Sequence, residues 1–256
     1  MRLNRRLAFG GLVACCLALG LGVLACDGEK PAKDILAEGR KLYSQKNEEL
    51  IIRDFFQDRT GGFFLDVGCY DWKDLSTTYY LEKHLGWSGI GVDANDALRS
   101  GYEEHRPNTR FENYIVTDES GGERSFFLNV GGAGISSVSR GWIVNFLRNR
   151  SPEAKPVIRE VKVPAITLND LLDGLGVEKI DFLSMDIEGH EPAALRGFDI
   201  ERFAPELVCI EKPRKPAEIL GYFGAHGYER IERYREHDRT NWYFQPKGDP
   251  SEGEVP

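Results

Sequence analysis

The chain has 256 residues, 41% apolar and 29% charged, enough to bury a sizeable core in one domain or two small ones. That balance excludes a polytopic membrane protein and a disordered chain. Lys and Arg number 33 against 41 Asp and Glu, a formal charge of −8. An acidic balance argues against nucleic acid as a partner, because neutralising phosphates takes a basic face.

Arg2, Arg5 and Arg6 precede an uncharged stretch from Leu7 to Cys26, the pattern of a secretory signal. Its end, Val23-Leu24-Ala25-Cys26-Asp27, resembles the lipobox of bacterial lipoproteins. The resemblance implies a signal over residues 1–25 and a lipid on Cys26; the alternative is an uncleaved anchor. Either one places the body at a membrane surface. Cleavage removes three positive charges and no negative ones, taking the formal charge from −8 to −11. Cys69 and Cys209 then remain in the fold, both in strand-like apolar contexts that suit buried thiols.

Residues 26–33 read as a polar tether. Helical spacing predicts a helix over 34–58, stopped by Gly61-Gly62. Phe63–Val67 reads as a buried strand, 75–85 as a helix ended by Gly86, and Ile90–Val92 as a second buried strand. A helical stretch to His105 follows, then strands at Phe111–Val116 and Ser125–Asn129 around a turn. Residues 131–160, broken by glycines and prolines, read as an insertion over the sheet. A helix at 167–175, a strand at Ile180–Met185, a short helix at 191–197, a strand at Leu207–Ile210 and a helix at 215–226 complete the alternation. Tyr228–Tyr234 and Asn241–Gln245 are expected to pair antiparallel, and residues 246–256 form a polar tail. Strands alternating with helices indicate an α/β sheet covered on both faces.

Two constellations carry chemistry. In the first, a buried strand runs into Asp66-Val67-Gly68, and one crossover later Gly91-Val92 leads to Asp93. Glycine turns and carboxylates at strand ends are where open α/β sheets bind ligands, and Asp93 suits a ribose diol. The pyrophosphate fingerprint is absent, since Asp66, Gly68 and Asp71 hold its three key places. An acidic turn repels a diphosphate but tolerates the sulfonium and amino group of S-adenosylmethionine. In the second, the strand ending at Met185 delivers Asp186, with Glu188, His190 and Glu191 just after it and Glu211 on the neighbouring strand. Read blandly, Asp66 caps the following turn, Asp93 is simply a strand-end residue, and the second cluster caps the helix near Glu191 with the rest solvated.

From Tyr43 to Phe244 the chain resembles the FkbM family of S-adenosylmethionine-dependent methyltransferases. The resemblance rests on Ser44-Gln45, Gly62-Phe63-Phe64-Leu65-Asp66-Val67-Gly68, Ser76-Thr77-Thr78, Leu81-Glu82-Lys83 and Leu85-Gly86-Trp87-Ser88-Gly89. Val163-Pro164, Thr167-Leu168 and above all the run from Ile180 to Glu191 extend it. The resemblance implies an α/β, Rossmann-like doubly wound sheet of class I methyltransferase type with a closing antiparallel strand pair, over residues 34–245. It implies O-methylation of a hydroxyl on a sugar or other small acceptor, with Asp66, Gly68 and Tyr70 along the methionine part of the donor, Asp93 at the ribose and Asp118 near the adenine. His190 or Asp186 is the expected general base; alternatively Asp186 and Glu211, with Glu188 assisting, hold Mg²⁺. Trp72, Tyr79 and Tyr80 read as helix packing, and Lys212, Arg214 and Lys215 as a solvated face. A cytoplasmic methyl donor sits awkwardly with an exported domain, so a lipid-anchored, non-catalytic binding protein on the same fold stands as the alternative.

Overall fold

The computed structural model describes residues 34–130, 135–153 and 155–248. The signal segment, Cys26, the tether to residue 33 and the tail from 249 lie outside the described residues. In chain order the elements are α1 (Ile35–Glu38), α2 (Glu48–Phe56), β1 (Phe63–Val67), α3 (Tyr79–Leu85), β2 (Ser88–Val92), α4 (Arg99–His105), β3 (Thr109–Glu112) and β4 (Ile115–Val116). Then come β5 (Glu123–Asn129), β6 (Ser136–Ser137), α5 (Arg140–Arg150), β7 (Ile158–Ile166), α6 (Leu168–Gly174) and β8 (Phe182–Met185). The last are α7 (Glu191–Arg196), α8 (Ile200–Phe203), β9 (Leu207–Glu211), α9 (Pro216–Ala225), β10 (Tyr228–Arg230) and β11 (Asn241–Pro246).

The apolar runs of β1, β2, β8 and β9 form the parallel centre of a seven-stranded sheet, ordered β10-β11-β9-β8-β1-β2-β3. From β1 the chain winds outward through β2 to β3, then returns to β8 on the other side of β1. The strand order therefore reverses between β1 and β8, where the crevice outside the strand ends takes ligands. β11 is antiparallel to both of its neighbours and sits between β9 and β10. The expected closing pair is thus present with the last strand inserted, leaving β10 at the edge.

Period-two alternation divides the core. Leu65, Val67, Leu183, Met185, Val208 and Ile210 pack against α6, α7 and α9. Phe64, Phe182, Leu207 and Cys209 pack on the opposite face against Ile51, Ile52, Leu81 and Trp87. Asp66 follows the second parity, so its carboxylate turns toward the α3 side. Cys69 and Cys209 are buried free thiols. Among the described residues no helix is long and apolar enough to cross a membrane.

Several expected elements differ. The helix over 34–58 is broken, because at Gly39 the backbone is extended and an added Cβ would stand 2.3 Å from the Ile35 carbonyl oxygen. The helix expected from residue 75 begins at Tyr79, since Leu75 has φ +66°, outside the helical region. Phe111–Val116 is two strands in two sheets. Residues 131–160 contain α5 and the start of β7, a nine-residue strand that pairs with β5 from Ile158 to Pro164 in a second sheet, β4-β7-β5-β6.

Candidate active site

Where β1 and β8 end side by side, the main-chain turn is glycine by necessity. Gly68 has φ +85°, and an added Cβ would lie 1.9 Å from the Asp186 carbonyl oxygen. The Asp186 N–H donates to the Val67 carbonyl at 2.9 Å, locking the two strand tips together. Above them opens a cavity of about 630 Å³ whose wall includes Asp66, Gly68, Tyr70, Asp93, Asp186, Glu188 and His190. Seven of the residues singled out in the sequence therefore share one chamber.

Asp93, just beyond β2, accepts the Asn95 N–H on Oδ1 at 2.8 Å and the Tyr70 N–H on Oδ2 at 3.2 Å. Burial raises its pKa to about 6 despite these bonds. An ionised carboxylate has about four acceptor sites, so two backbone donors leave room for a diol. Asp66 is buried and accepts the Thr78 hydroxyl at 2.9 Å. Burial pushes its pKa up, opposed by that hydroxyl and by the Arg106 charge. Arg106, itself buried, donates to Glu82, to the Trp72 carbonyl at 3.0 Å and to the Thr78 and Thr109 hydroxyls at 3.2 and 3.0 Å. It props up the floor under Asp66 without entering the cavity.

The loop after β8 is strained at Glu188, φ +60°, followed by Gly189 at φ +91°. Glu191 holds it: its Oε1 accepts the N–H groups of Ile187 and Gly189 at 3.0 and 3.2 Å. Glu191 is therefore a buried clamp on the loop and does not line the cavity beside Asp186, Glu188 and His190. Carboxylate oxygens of Asp186, Glu188 and Glu211 lie within 4.8 Å of one another. Asp186 is open to the cavity yet ringed by protein. Desolvation first, then mutual repulsion, raises the pKa of Asp186 to about 7, of Glu211 to about 8 and of Glu188 to about 9. Such a group supplies proton acceptors working near neutral pH, or hard oxygen ligands for a divalent cation. His190 Nε2 stands 3.2 Å from the Thr117 hydroxyl, and burial lowers the ring's pKa, which keeps it neutral and able to take a proton.

Other expectations fare differently. Asp118 is not among the residues of the cavity wall; Arg196 pairs with it at 2.8 Å and holds its pKa down. Trp72 and Tyr79 pack edge to face at 5.7 Å, and neither they nor Tyr80 line the cavity. Arg214 is no mere solvated charge. Its guanidinium stacks 4.7 Å from the Trp142 ring centroid, and its charge moderates Glu188, Glu191 and Glu211. Sequence reasoning missed Glu48, a buried carboxylate at the start of α2 that also lines the cavity, and Arg159 on β7. The signal for Glu48 was available, since it falls beside Leu50 and Ile51 at the inner end of an amphipathic helix.

The sequence model of the family described as the Methyltransferase FkbM domain matches residues 66–230. No curated protein sequence matches the chain. Among solved structures the chain is similar to a TehB-like SAM-dependent methyltransferase from Corynebacterium glutamicum, with 14% identity over 83% of this chain and 92% of that one, TM-score 0.43. It is also similar to a SAM-dependent methyltransferase from Aquifex aeolicus, with 13% identity over 78% and 88%, TM-score 0.40. A third, from Geobacter sulfurreducens in complex with S-adenosyl-L-homocysteine, has 9% identity over 83% and 96%, TM-score 0.40. The fold is the Rossmann-like doubly wound sheet of class I methyltransferase type that the sequence led us to expect.

Proposed function

The chain belongs to the FkbM methyltransferase domain family, and from that premise we propose that it moves the methyl group of S-adenosylmethionine to a hydroxyl oxygen of a small acceptor. The observation that carries this reading is the single cavity lined by five carboxylates, Glu48, Asp66, Asp93, Asp186 and Glu188, at the strand-order reversal. A cationic sulfonium and ammonium match that wall, whereas a diphosphate is repelled by it. When bound, the donor supplies an electrophilic methyl whose S–CH₃ bond breaks, with its electron pair returning to sulfur, as the O–CH₃ bond forms. In this reading Asp93 receives the ribose hydroxyls, and Asp66, Gly68 and Tyr70 flank the methionine portion. Asp186, with Glu188 and Glu211 behind it, or His190, accepts the proton that the hydroxyl gives up. A base so placed contributes roughly 10²–10⁴-fold, and positioning supplies most of the rest.

Calorimetric titration of the full chain tests this. S-adenosylhomocysteine is expected to bind at one site and NAD to give no heat, with binding weakened in Asp66→Ala and Asp93→Ala. A folded protein silent to S-adenosylhomocysteine, or one preferring NAD, overturns the reading.

A second reading is favoured by the Asp186, Glu188 and Glu211 oxygens within 4.8 Å of one another: these residues hold Mg²⁺, which would acidify the acceptor hydroxyl. Mg²⁺ is then expected to raise Tm in the wild type and not in Asp186→Asn; equal shifts in both contradict it. Residues 34–245 would form the catalytic domain, attached to a membrane through Cys26 or an uncleaved N-terminal segment. Labelling with a palmitate analogue, lost in Cys26→Ser, checks the lipid.

A further inference from the structure

The cavity has a second wall that the donor does not explain. β5 and β7 pair antiparallel with Leu128 opposite Arg159 and Phe126 opposite Val161, so these four side chains share one face of the small sheet. Along β7 that face continues through Val163 and Ala165, both buried, and along β5 it runs out to Val130. The row is apolar except at Arg159. Toward the cavity it emerges from the core, leaving Val130 55% exposed and Arg159 exposed, both on the cavity wall.

Arg159 makes no ion pair and no side-chain hydrogen bond among the described residues. It is the only Lys or Arg among the described residues lining the cavity, where every other charged side chain is a carboxylate. A guanidinium in an apolar row, uncommitted although five carboxylates share its chamber, gives the cavity two electrical ends. An anionic group is repelled from the end holding Asp66, Asp93 and Asp186 and is drawn to Arg159. An apolar body between the two ends lies on Phe126, Leu128 and Val130.

Resting on the methyl-transfer reading above, we propose that the acceptor is a hydroxylated anionic amphiphile. Its apolar body covers the inward face of the small sheet, its anionic group pairs with Arg159, and its hydroxyl is thereby turned toward Asp186. The small sheet is then the acceptor-selecting element, and the large sheet holds the donor.

The test uses the full chain, with and without saturating S-adenosylhomocysteine, titrated calorimetrically with 3-hydroxydecanoate and with neutral 1,3-decanediol. The acid is expected to bind about tenfold more tightly than the diol, as a charge-assisted pair warrants. In Arg159→Gln that preference is expected to shrink to about twofold or less, while affinity for S-adenosylhomocysteine stays at the wild-type value; Arg159→Lys restores part of it. Equal binding of acid and diol by the wild type, a preference that survives Arg159→Gln, or no binding of either probe overturns the proposal while leaving the donor reading intact. Failure of S-adenosylhomocysteine to bind, with the acid preference present and dependent on Arg159, removes the methyl-transfer reading and leaves the anion subsite supported.

Discussion

At Asp93 burial and backbone hydrogen bonding pull one carboxylate in opposite directions. Its carboxylate is held by two backbone donors, yet burial keeps its pKa near 6, so modest acidification converts it from a pure acceptor to a carboxyl. A ribose diol needs the ionised form. Affinity for S-adenosylhomocysteine should therefore fall as pH drops through about 6, and Asp93→Asn should weaken binding by about tenfold or more and lose that pH step. Calorimetry between pH 5 and 8 checks both; an unchanged pH step in the variant would assign the titration elsewhere. Asp93 and Asp186 drew notice in the sequence because each directly follows a buried apolar strand, and Asp66 because it is the one charged residue inside β1. Asp118 was legible only as the end of an apolar run. Nothing in that run announces that Arg196, 78 positions later, takes its charge. Arg159 was hidden because its alternating neighbours were not read as a strand.

At the scale of elements, the network around Arg106 ties α3 to the segment joining α4 and β3. Arg106 is fully buried and Glu82 nearly so, and the pair also engages the Thr78 and Thr109 hydroxyls. Removing one partner leaves the other charge buried and unpaired, which costs about 3–5 kcal/mol. Arg106→Met should lower unfolding free energy by that amount in denaturant titration, and a loss below about 1 kcal/mol would show that the pair is not isolated from water. The four central parallel strands were readable because a strand covered on both faces is an uninterrupted apolar run. β7 was not, since Pro156 and Pro164 punctuate a stretch in which Arg159, Glu160 and Lys162 outnumber its inward valines. The helix over 34–58 misled for the opposite reason: its spacing is helical, yet the backbone turns extended at Gly39 and does not resume a helix until Glu48.

At the scale of the whole molecule, the acidic cavity sets the direction of the pH dependence. Unfolded Asp and Glu titrate near 4, whereas Asp186, Glu211 and Glu188 hold their protons in the folded chain to about 7, 8 and 9. Between those limits the folded state binds more protons than the unfolded one, so this cluster's contribution to stability declines as pH rises from about 4 to 9. Tm should fall across pH 5–9, and Glu211→Gln, which removes one charge from the triplet, should flatten the fall. A slope identical in wild type and variant would contradict the assignment. In the proposed reading the large sheet would receive the cation-bearing donor at its switch point, and the small sheet lines the other side of the same chamber. Sequence reading singled out the glycine and carboxylate tips that line the first wall and missed the second wall with β7.

The most direct measurement is a crystal structure of the full chain with S-adenosylhomocysteine. The account predicts the ribose hydroxyls within hydrogen-bonding distance of the Asp93 carboxylate, the adenosyl and homocysteine parts spanning the Gly68 turn, and the sulfur facing the Asp186 side of the cavity. Density for the compound outside that cavity, or with its ribose away from Asp93, would contradict it.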